Sequence, residues 1–227
     1  MRNNVGTADH RRAAAQALRA LAHALVAHEP DDTTLARVAA DVARMTEVVT
    51  GAPRRRRGDD VAGLLPLLTA PDPASFSSVL LERPVSGAAN PTAADVTFRR
   101  DGDEIVAEVR FGPAFEGAPG RVHGGMVAAV FDDVTGGALA LARAPAYTAR
   151  LAIDYLAPVP IDVPLEFRTR LDRRAGRKLH ASCEARHGPD VLARAQALFI
   201  MVDPEHFRSG LTGIRSSRPQ SGARSDG

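Results

Sequence analysis

One apolar run, GRVHGGMVAAVFDDVTGG from Gly120 to Gly137, restricts the folds that are open to this chain. After its paired glycines the run has the length and composition of an α-helix, and apolar side chains cover nearly every side of that helix. A helix that is apolar all round is buried, so the rest of the chain must enclose it. The apolar side chains of this helix are Met126, Val127, Val130, Phe131, Val134, Leu139 and Leu141.

The segments around this helix alternate apolar and polar residues, which predicts β-strands. DVTFRR and EIVAEVRF precede the helix and flank the turn DGD at 101–103. Three more such segments follow it, in TARLAIDYL, PLEFRTRLD and RKLHASCEARH, and then VLARAQALFIMV, which is apolar on both faces towards its end, as expected of a central strand. Their connections are too short for parallel crossovers, so we expect an antiparallel sheet. The predicted fold class is α+β, with an antiparallel sheet wrapped around one central helix, an arrangement that usually dimerises.

Composition divides the chain into three regions. Residues 1–60 predict an N-terminal helical extension, with apolar residues at helical spacing in two runs, followed by a basic linker. DDTT offers capping oxygens to the second helix and GAP at 51–53 ends it, while RRRRGDD at 54–60 is interpreted as a solvated linker more than a phosphate-binding patch. Residues 61–207 form the main domain, and the Ser-, Gly-, Arg- and Pro-rich residues 208–227 are expected to be disordered.

Charge and composition argue against several classes of partner. The net charge of the 227 residues is only +2 and there is no Trp, so a nucleic-acid partner is not expected. No stretch reaches the roughly 18 uninterrupted apolar residues of a membrane span, and the N-terminus has no signal-peptide core. A single cysteine excludes an intramolecular disulfide. We expect a soluble cytoplasmic protein with no membrane partner, no cofactor and no metal site.

The first turn of the central helix has the features of a site for a negatively charged oxygen. Gly124 and Gly125 leave the first N–H groups of the helix unobstructed, and the helix dipole adds positive charge there. Such a site polarises a carbonyl oxygen or stabilises an oxyanion. A tight helix entry explains the two glycines equally well. His123, at the cap position, would either donate to the same oxygen or hold the turn.

Two adjacent aspartates, Asp132 and Asp133, interrupt the apolar helix. An unpaired carboxylate in a buried site costs several kcal/mol. Adjacent helix positions point about 100° apart, so the two side chains cannot face one partner. At most one of them is expected to be catalytic, and the other to sit at an edge or to pair with an arginine.

GAPGRVHGGMVAAVFDD followed by YTARLAIDYLAPVPIDVPL resembles the hot-dog-fold acyl-CoA thioesterases of the phenylacetate-degradation type. VSGAANP at 85–91 is similar to the segment before the first strand in many members, and the resemblance covers roughly residues 85–205. It implies a thioesterase that hydrolyses an acyl-CoA or acyl-carrier-protein thioester. It also implies a homodimer or a dimer of dimers with composite active sites.

The family motifs transfer to particular positions. The His-Gly-Gly (HGG) motif falls on His123 and the two glycines after it, and the catalytic carboxylate of the family lies nine positions after the histidine, which selects Asp132. Many members have a Ser or Thr seven residues before a Tyr, here Thr148. One branch has an Asn before the histidine, which FEGAPGR lacks, so Thr148 or His123 is left to position water. The expected catalytic residues are Asp132, Gly124, His123 and Thr148, and the expected substrate contacts are Gly125, Met126 and Arg150.

The spacing of two of these residues requires two chains. Gly124 and Asp132 are eight residues apart on one helix, which is about 12 Å at 1.5 Å per residue. Reacting atoms must lie within about 3 Å, so one thioester cannot meet both groups of a single chain. Two antiparallel helices facing each other across a dimer axis would bring each Gly124 opposite the Asp132 of the other chain.

Two other functions and several other residues compete with this reading. A non-catalytic acyl-binding or regulatory protein would not need a carboxylate in the helix, and a hot-dog hydratase or dehydratase would need His and carboxylate acting together. Cys183 lies on the apolar face of its strand and is expected in the core more than as a nucleophile. Arg150, like Arg173, Arg174 and Arg177, would meet the phosphates of CoA or simply keep the surface soluble.

Overall fold

The computed structural model describes residues 4–54 and 81–203. The helices are α1 (Asn4–Ala27), α2 (Asp32–Thr50), α3 (Gly124–Thr135) and α4 (Gly137–Ala142), with a short 3₁₀ turn at Pro113–Phe115. The strands are β1 (Asp95–Asp101), β2 (Glu104–Arg110), β3 (Ala146–Tyr155), β4 (Pro164–Ala175), β5 (Lys178–His187) and β6 (Asp190–Met201). Most of the basic linker and the C-terminal tail, for which the sequence made predictions, lie outside the described residues.

The six strands form one antiparallel sheet in the order β1-β2-β4-β5-β6-β3, as the short connections predict. The chain leaves β2 inside the sheet, passes through α3 and α4, and returns as the edge strand β3. Alternate strand residues face α3 and form the core, such as Phe167, whose ring meets that of Phe131 edge-on at 5.0 Å between centroids. The sheet therefore wraps around one apolar helix, and this confirms the predicted fold class.

The central helix is shorter than the sequence suggests. The apolar run predicts one helix through Leu141, but α3 ends at Thr135 and a separate helix, α4, starts at Gly137. Gly137 lies against β2 so closely that a Cβ there would be 2.9 Å from Cγ2 of Ile105. Gly136 and Gly137 lie at the break between the two helices. Gly137 permits the close approach because it has no side chain to hold the backbone away from β2.

The stretch Gly124–Ala142 is long and apolar enough to pass for a membrane-spanning helix. It has 19 residues with a mean hydropathy of 1.4, and half of its most apolar window is buried inside the fold. Helix and sheet together bury the Val130 and Phe131 side chains completely. Packing against the sheet accounts for the apolar character of this segment.

The sheet face turned away from α3 is covered by charged side chains. Arg168 is central to them, because its guanidinium contacts Glu104, Glu166 and Asp101, each at 2.7 Å. These hydrogen bonds raise the pKa of Arg168, and those from Arg168 and Arg99 lower the pKa of Asp101. This charged surface explains why β4 and β5 alternate so regularly, since one face of each strand packs on the helix and the other faces solvent.

The N-terminal extension is attached through α1. Arg19 donates to the backbone oxygen of Asn90 at 2.7 Å. His23 accepts from the N–H of Ala114 at 3.0 Å, and its ring meets that of Phe115 edge-on. The helix α2 begins with the predicted cap, in which Asp31 accepts from the N–H of Thr34 and so has a lowered pKa. Both predicted helices are confirmed, and α2 buries none of its side chains.

Candidate active site

The head of α3 is held by its own histidine. His123 is the N-cap residue, and its Nδ1 accepts a hydrogen bond from the N–H of Gly125 at 3.0 Å. Because Nδ1 of a neutral imidazole accepts only when the proton is on Nε2, the ring presents Nε2–H outward. The histidine thus holds the turn and keeps a donor for a ligand, so the two roles left open by the sequence are compatible.

The first two N–H groups of α3 differ in availability. The N–H of Gly125 is engaged by the cap, whereas the N–H of Gly124 has no acceptor within the part of the chain that the structure describes. The preceding loop orients this turn, since the N–H of His123 donates to the backbone oxygen of Phe115 at 2.8 Å. Gly117 allows the loop to close, because a Cβ there would lie 2.8 Å from Cα of His123. Gly124 is therefore the backbone donor available to an oxyanion.

Asp132 faces out of the core and is held by Thr148. Its side chain is exposed, and Oγ1 of Thr148 donates to its Oδ1 at 3.1 Å. This contact leaves the second carboxylate oxygen available to a water molecule or a substrate. The structure therefore brings together two of the residues that the family motif selects.

A β-bulge in β3 turns Thr148 toward the helix. Thr148 pairs with Phe199 and Arg150 with Leu198, so Ala149 is an extra residue on its strand. Without the bulge, strict alternation would place Thr148 on the same face as Arg150, away from α3. With it, Thr148 shares the helix-facing side, and the exposed Arg150 lies on the opposite face. The structure does not bring Arg150 to the site within one chain.

Asp133 has a structural role in the fold. It is only 8% exposed, and its Oδ1 lies 3.0 Å from Nε of Arg83. The turn that carries Arg83 is tight, since a Cβ at Gly87 would lie 2.3 Å from the Arg83 nitrogen. The hypothesis that one of the two aspartates pairs with an arginine is confirmed. The sequence did not identify Arg83, because nothing in its neighbourhood marks a partner 50 residues away.

A cavity of about 500 Å³ opens beside the head of α3. His123 and Gly124 line it, together with Val127, Tyr155 and residues 156–159 at the end of β3. Its lining contains neither Asp132 nor Thr148. Within one chain the two halves of the expected site therefore do not share a cavity.

Met126, a possible metal site and Tyr155 complete the description of the site. Met126 is half-buried and packs against the core, although the sequence suggests a substrate contact as well. No group of three His, Cys, Asp or Glu side chains among residues 4–54 and 81–203 could hold a metal ion. Tyr155, which the sequence uses only to locate Thr148, donates from its hydroxyl to the backbone oxygen of Gly124 at 2.7 Å.

Cys183 is expected to resist alkylation in the folded protein. It is 1% exposed, in the core as predicted, and burial raises the pKa of its thiol to about 12. The reactive thiolate is therefore almost absent from the folded state at pH 8. Intact-mass analysis after iodoacetamide treatment should show no added group in the native protein and one in guanidinium chloride. Native labelling at the rate of a free thiol would contradict the burial.

A six-stranded antiparallel sheet around α3, with a capped helix head and a threonine-held carboxylate, defines a hot-dog-fold protein. A family model for the thioesterase superfamily matches residues 119–194. Over these residues the chain is similar to the thioesterase superfamily. The matched region contains HGG, Asp132 and Thr148, so the superfamily match and the candidate site coincide.

Two curated relatives are similar over the same part of the chain. It is 39% identical over 92 residues to mouse acyl-coenzyme A thioesterase THEM4, covering 40% of each chain. It is 35% identical over 95 residues to THEM4 of Xenopus laevis, covering 41% of this chain and 43% of that one. The chain thus spans about two fifths of the length of these relatives.

A solved structure extends the similarity to most of the described fold. The crystal structure of a thioesterase superfamily protein matches with a TM-score of 0.69 and 26% identity, covering 84% of this chain and 94% of that one. This share is larger than the part of the chain that the thioesterase model matches.

Proposed function

We propose that the protein hydrolyses an acyl-CoA thioester to a free acid and a thiol. The observation that carries this proposal is the exposed Asp132 of α3, which accepts a hydrogen bond from Thr148 of β3. The same helix presents the unengaged N–H of Gly124 at its first turn. Thioester hydrolysis needs a general base and a donor for the oxyanion, and the carboxylate and the free N–H at the helix N-terminus supply these two groups. The curated relatives named as acyl-coenzyme A thioesterases support acyl-CoA as the substrate.

The reaction follows from these groups. The N–H of Gly124 and Nε2–H of His123 polarise the thioester carbonyl. Asp132 takes a proton from water as the water oxygen bonds to the carbonyl carbon, and Thr148 holds the carboxylate in place. The tetrahedral intermediate then collapses, the C–S bond breaks, and the proton passes to the departing sulfur. Direct attack by Asp132, which forms an anhydride that water then opens, uses the same residues.

Each active site is proposed to combine two chains. Gly124 and Asp132 are about 12 Å apart along α3, and the cavity at the helix head does not reach the carboxylate. The ten-residue strand β3 is an edge strand, so one side of its backbone is unpaired. Its residues Thr148 and Tyr155 contact Asp132 and Gly124, respectively. Antiparallel pairing of two such edges about a two-fold axis would extend the sheet and place the two α3 helices antiparallel. The active protein is then a homodimer or a dimer of dimers.

Mixing two inactive variants should restore activity if the sites are composite. In a dimer of Gly124→Pro with Asp132→Asn chains, one site carries both defects and the other carries none. Random assortment makes half of the dimers mixed, so about a quarter of all sites are intact, and about half of the sites in the purified mixed dimer. Co-expression with two affinity tags, followed by hydrolysis assays on the doubly tagged dimer, measures this directly. Activity no higher than in either parent variant would place each site within one chain.

The function itself is tested with a panel of thioesters. Wild type and Asp132→Ala are assayed on acyl-CoAs of different chain length and aromaticity, and on the same acyl groups carried by acyl-carrier protein. We expect wild type to hydrolyse at least one of them and Asp132→Ala to hydrolyse none at a comparable rate. Binding of acyl-CoA without hydrolysis of any substrate would favour the non-catalytic acyl-binding protein.

A further inference from the structure

Tyr155 lies at the end of β3, next to the first turn of α3. Its pairing with Ala193 places its ring on the helix-facing side of the sheet. Its side chain is 50% exposed, and its hydroxyl donates to the backbone oxygen of Gly124 at 2.7 Å. This hydrogen bond connects the end of β3 to the head of α3.

This hydrogen bond is the first of two in series. The C=O of Gly124 and the N–H of Gly125 belong to the same peptide group, and that N–H donates to Nδ1 of His123 at 3.0 Å. A donor on the carbonyl oxygen makes the N–H of the same peptide a stronger donor. A stronger bond at Nδ1 in turn makes Nε2–H a stronger donor. Hydrogen bonds in such a chain strengthen one another by roughly 10–30% per bond.

We propose that Tyr155 is a positioning residue that acts on the thioester through His123. Its hydroxyl polarises the Gly124–Gly125 peptide, which fixes the His123 tautomer and presents Nε2–H to the carbonyl oxygen. The proposal rests on the proposed thioesterase function for its effect on rate, but the hydrogen-bond series itself does not depend on that function. Because Tyr155 also lines the cavity, a direct contact with the substrate is the competing role.

Tyr155→Phe keeps the ring and removes only the hydroxyl. We expect kcat to fall roughly three- to tenfold, the loss of about one hydrogen bond, with little change in KM. Tyr147→Phe is the matched control, because it changes the only other tyrosine in the chain, at the far end of β3. That control should leave both constants unchanged.

A double-mutant cycle separates the two roles. In a His123→Ala background Tyr155→Phe should have no further effect on kcat, because the series then ends on a missing ring. A full effect in that background, or a rise in KM without a fall in kcat, would overturn the proposal in favour of a substrate contact.

Two measurements test the hydrogen-bond series without any substrate. ¹⁵N NMR of the imidazole should show His123 protonated on Nε2 in wild type and a larger share of the other tautomer in Tyr155→Phe. Hydrogen exchange at the Gly125 amide should become faster in Tyr155→Phe and stay unchanged in Tyr147→Phe. Unchanged tautomer and exchange would overturn the proposal even if the enzyme is active. An inactive wild type with the expected NMR result would instead refute the thioesterase function alone.

Discussion

Asp132→Asn is expected to lower kcat for acyl-CoA hydrolysis by roughly 10²- to 10⁴-fold, the usual contribution of a positioned general base. Asparagine has nearly the same shape, and its side-chain oxygen still accepts from Thr148, but it cannot take a proton from water. Because Asp132 is exposed, the substitution should leave the melting temperature unchanged. Steady-state kinetics and thermal unfolding of the same preparation measure both quantities.

The neighbouring variant Asp133→Asn is the control, with the opposite expected result. Asp133 is buried against Arg83, so Asp133→Asn removes the charge of one partner of a largely buried ion pair. Removing one partner of a buried ion pair generally lowers the free energy of unfolding by about 3–5 kcal/mol. Arg83 is partly exposed, so we expect Asp133→Asn to lower it by an amount at the low end of that range. The folded fraction should keep near-normal kcat. A dead Asp133→Asn beside an active Asp132→Asn would overturn the assignment.

Gly124→Pro is expected to lower kcat by about 10²- to 10³-fold through the loss of one oxyanion donor. Gly124 is the first residue of α3, where proline is well tolerated and removes only the N–H. The conformation of His123, at φ −59° and ψ 129°, suits a residue before proline. A Cβ at position 124 has ordinary contacts, with the ring of Tyr155 at 3.7 Å. Hydrolysis rates at saturating substrate measure the effect.

Gly124→Ala distinguishes the effect of losing the N–H donor from the effect of adding a side chain at this position. Alanine retains the donor and adds the same Cβ, so its kcat should stay within a few-fold of wild type. Circular dichroism of both variants checks that α3 is intact. If alanine and proline reduce kcat equally, the cavity at the helix head needs glycine for room, and the N–H is not the catalytic group.

Much of the fold follows from local patterns in the sequence. The alternation in EIVAEVRF and RKLHASCEARH predicts their strands, and short turns leave antiparallel pairing as the only option. The family resemblance, in which the carboxylate lies nine positions after the histidine, implies Asp132, and the structure shows that side chain exposed and held by Thr148. Periodicity predicts the helices and strands because it depends only on which face of an element each residue occupies.

Other features of the site depend on contacts that no local pattern contains. The sequence suggests roles for both N–H groups of the glycine pair, but the His123 side chain engages that of Gly125. It suggests a substrate contact at Arg150, which lies on the sheet face turned away from α3, whereas the bulge in β3 turns Thr148 toward the helix. A bulge adds one residue to a strand, and so it reverses the face of every residue beyond it without altering the composition.

The sequence by itself determined that a single buried helix needs a sheet around it, and that its head and its carboxylate are too far apart for one substrate. Both conclusions rest on the rise and periodicity of a helix, which are the same in every chain. Only the tertiary structure decided which aspartate is buried, because Arg83 reaches Asp133 from a distant turn. It also decided which side chain supports the helix head, because Tyr155 meets Gly124 only after the sheet has closed around α3.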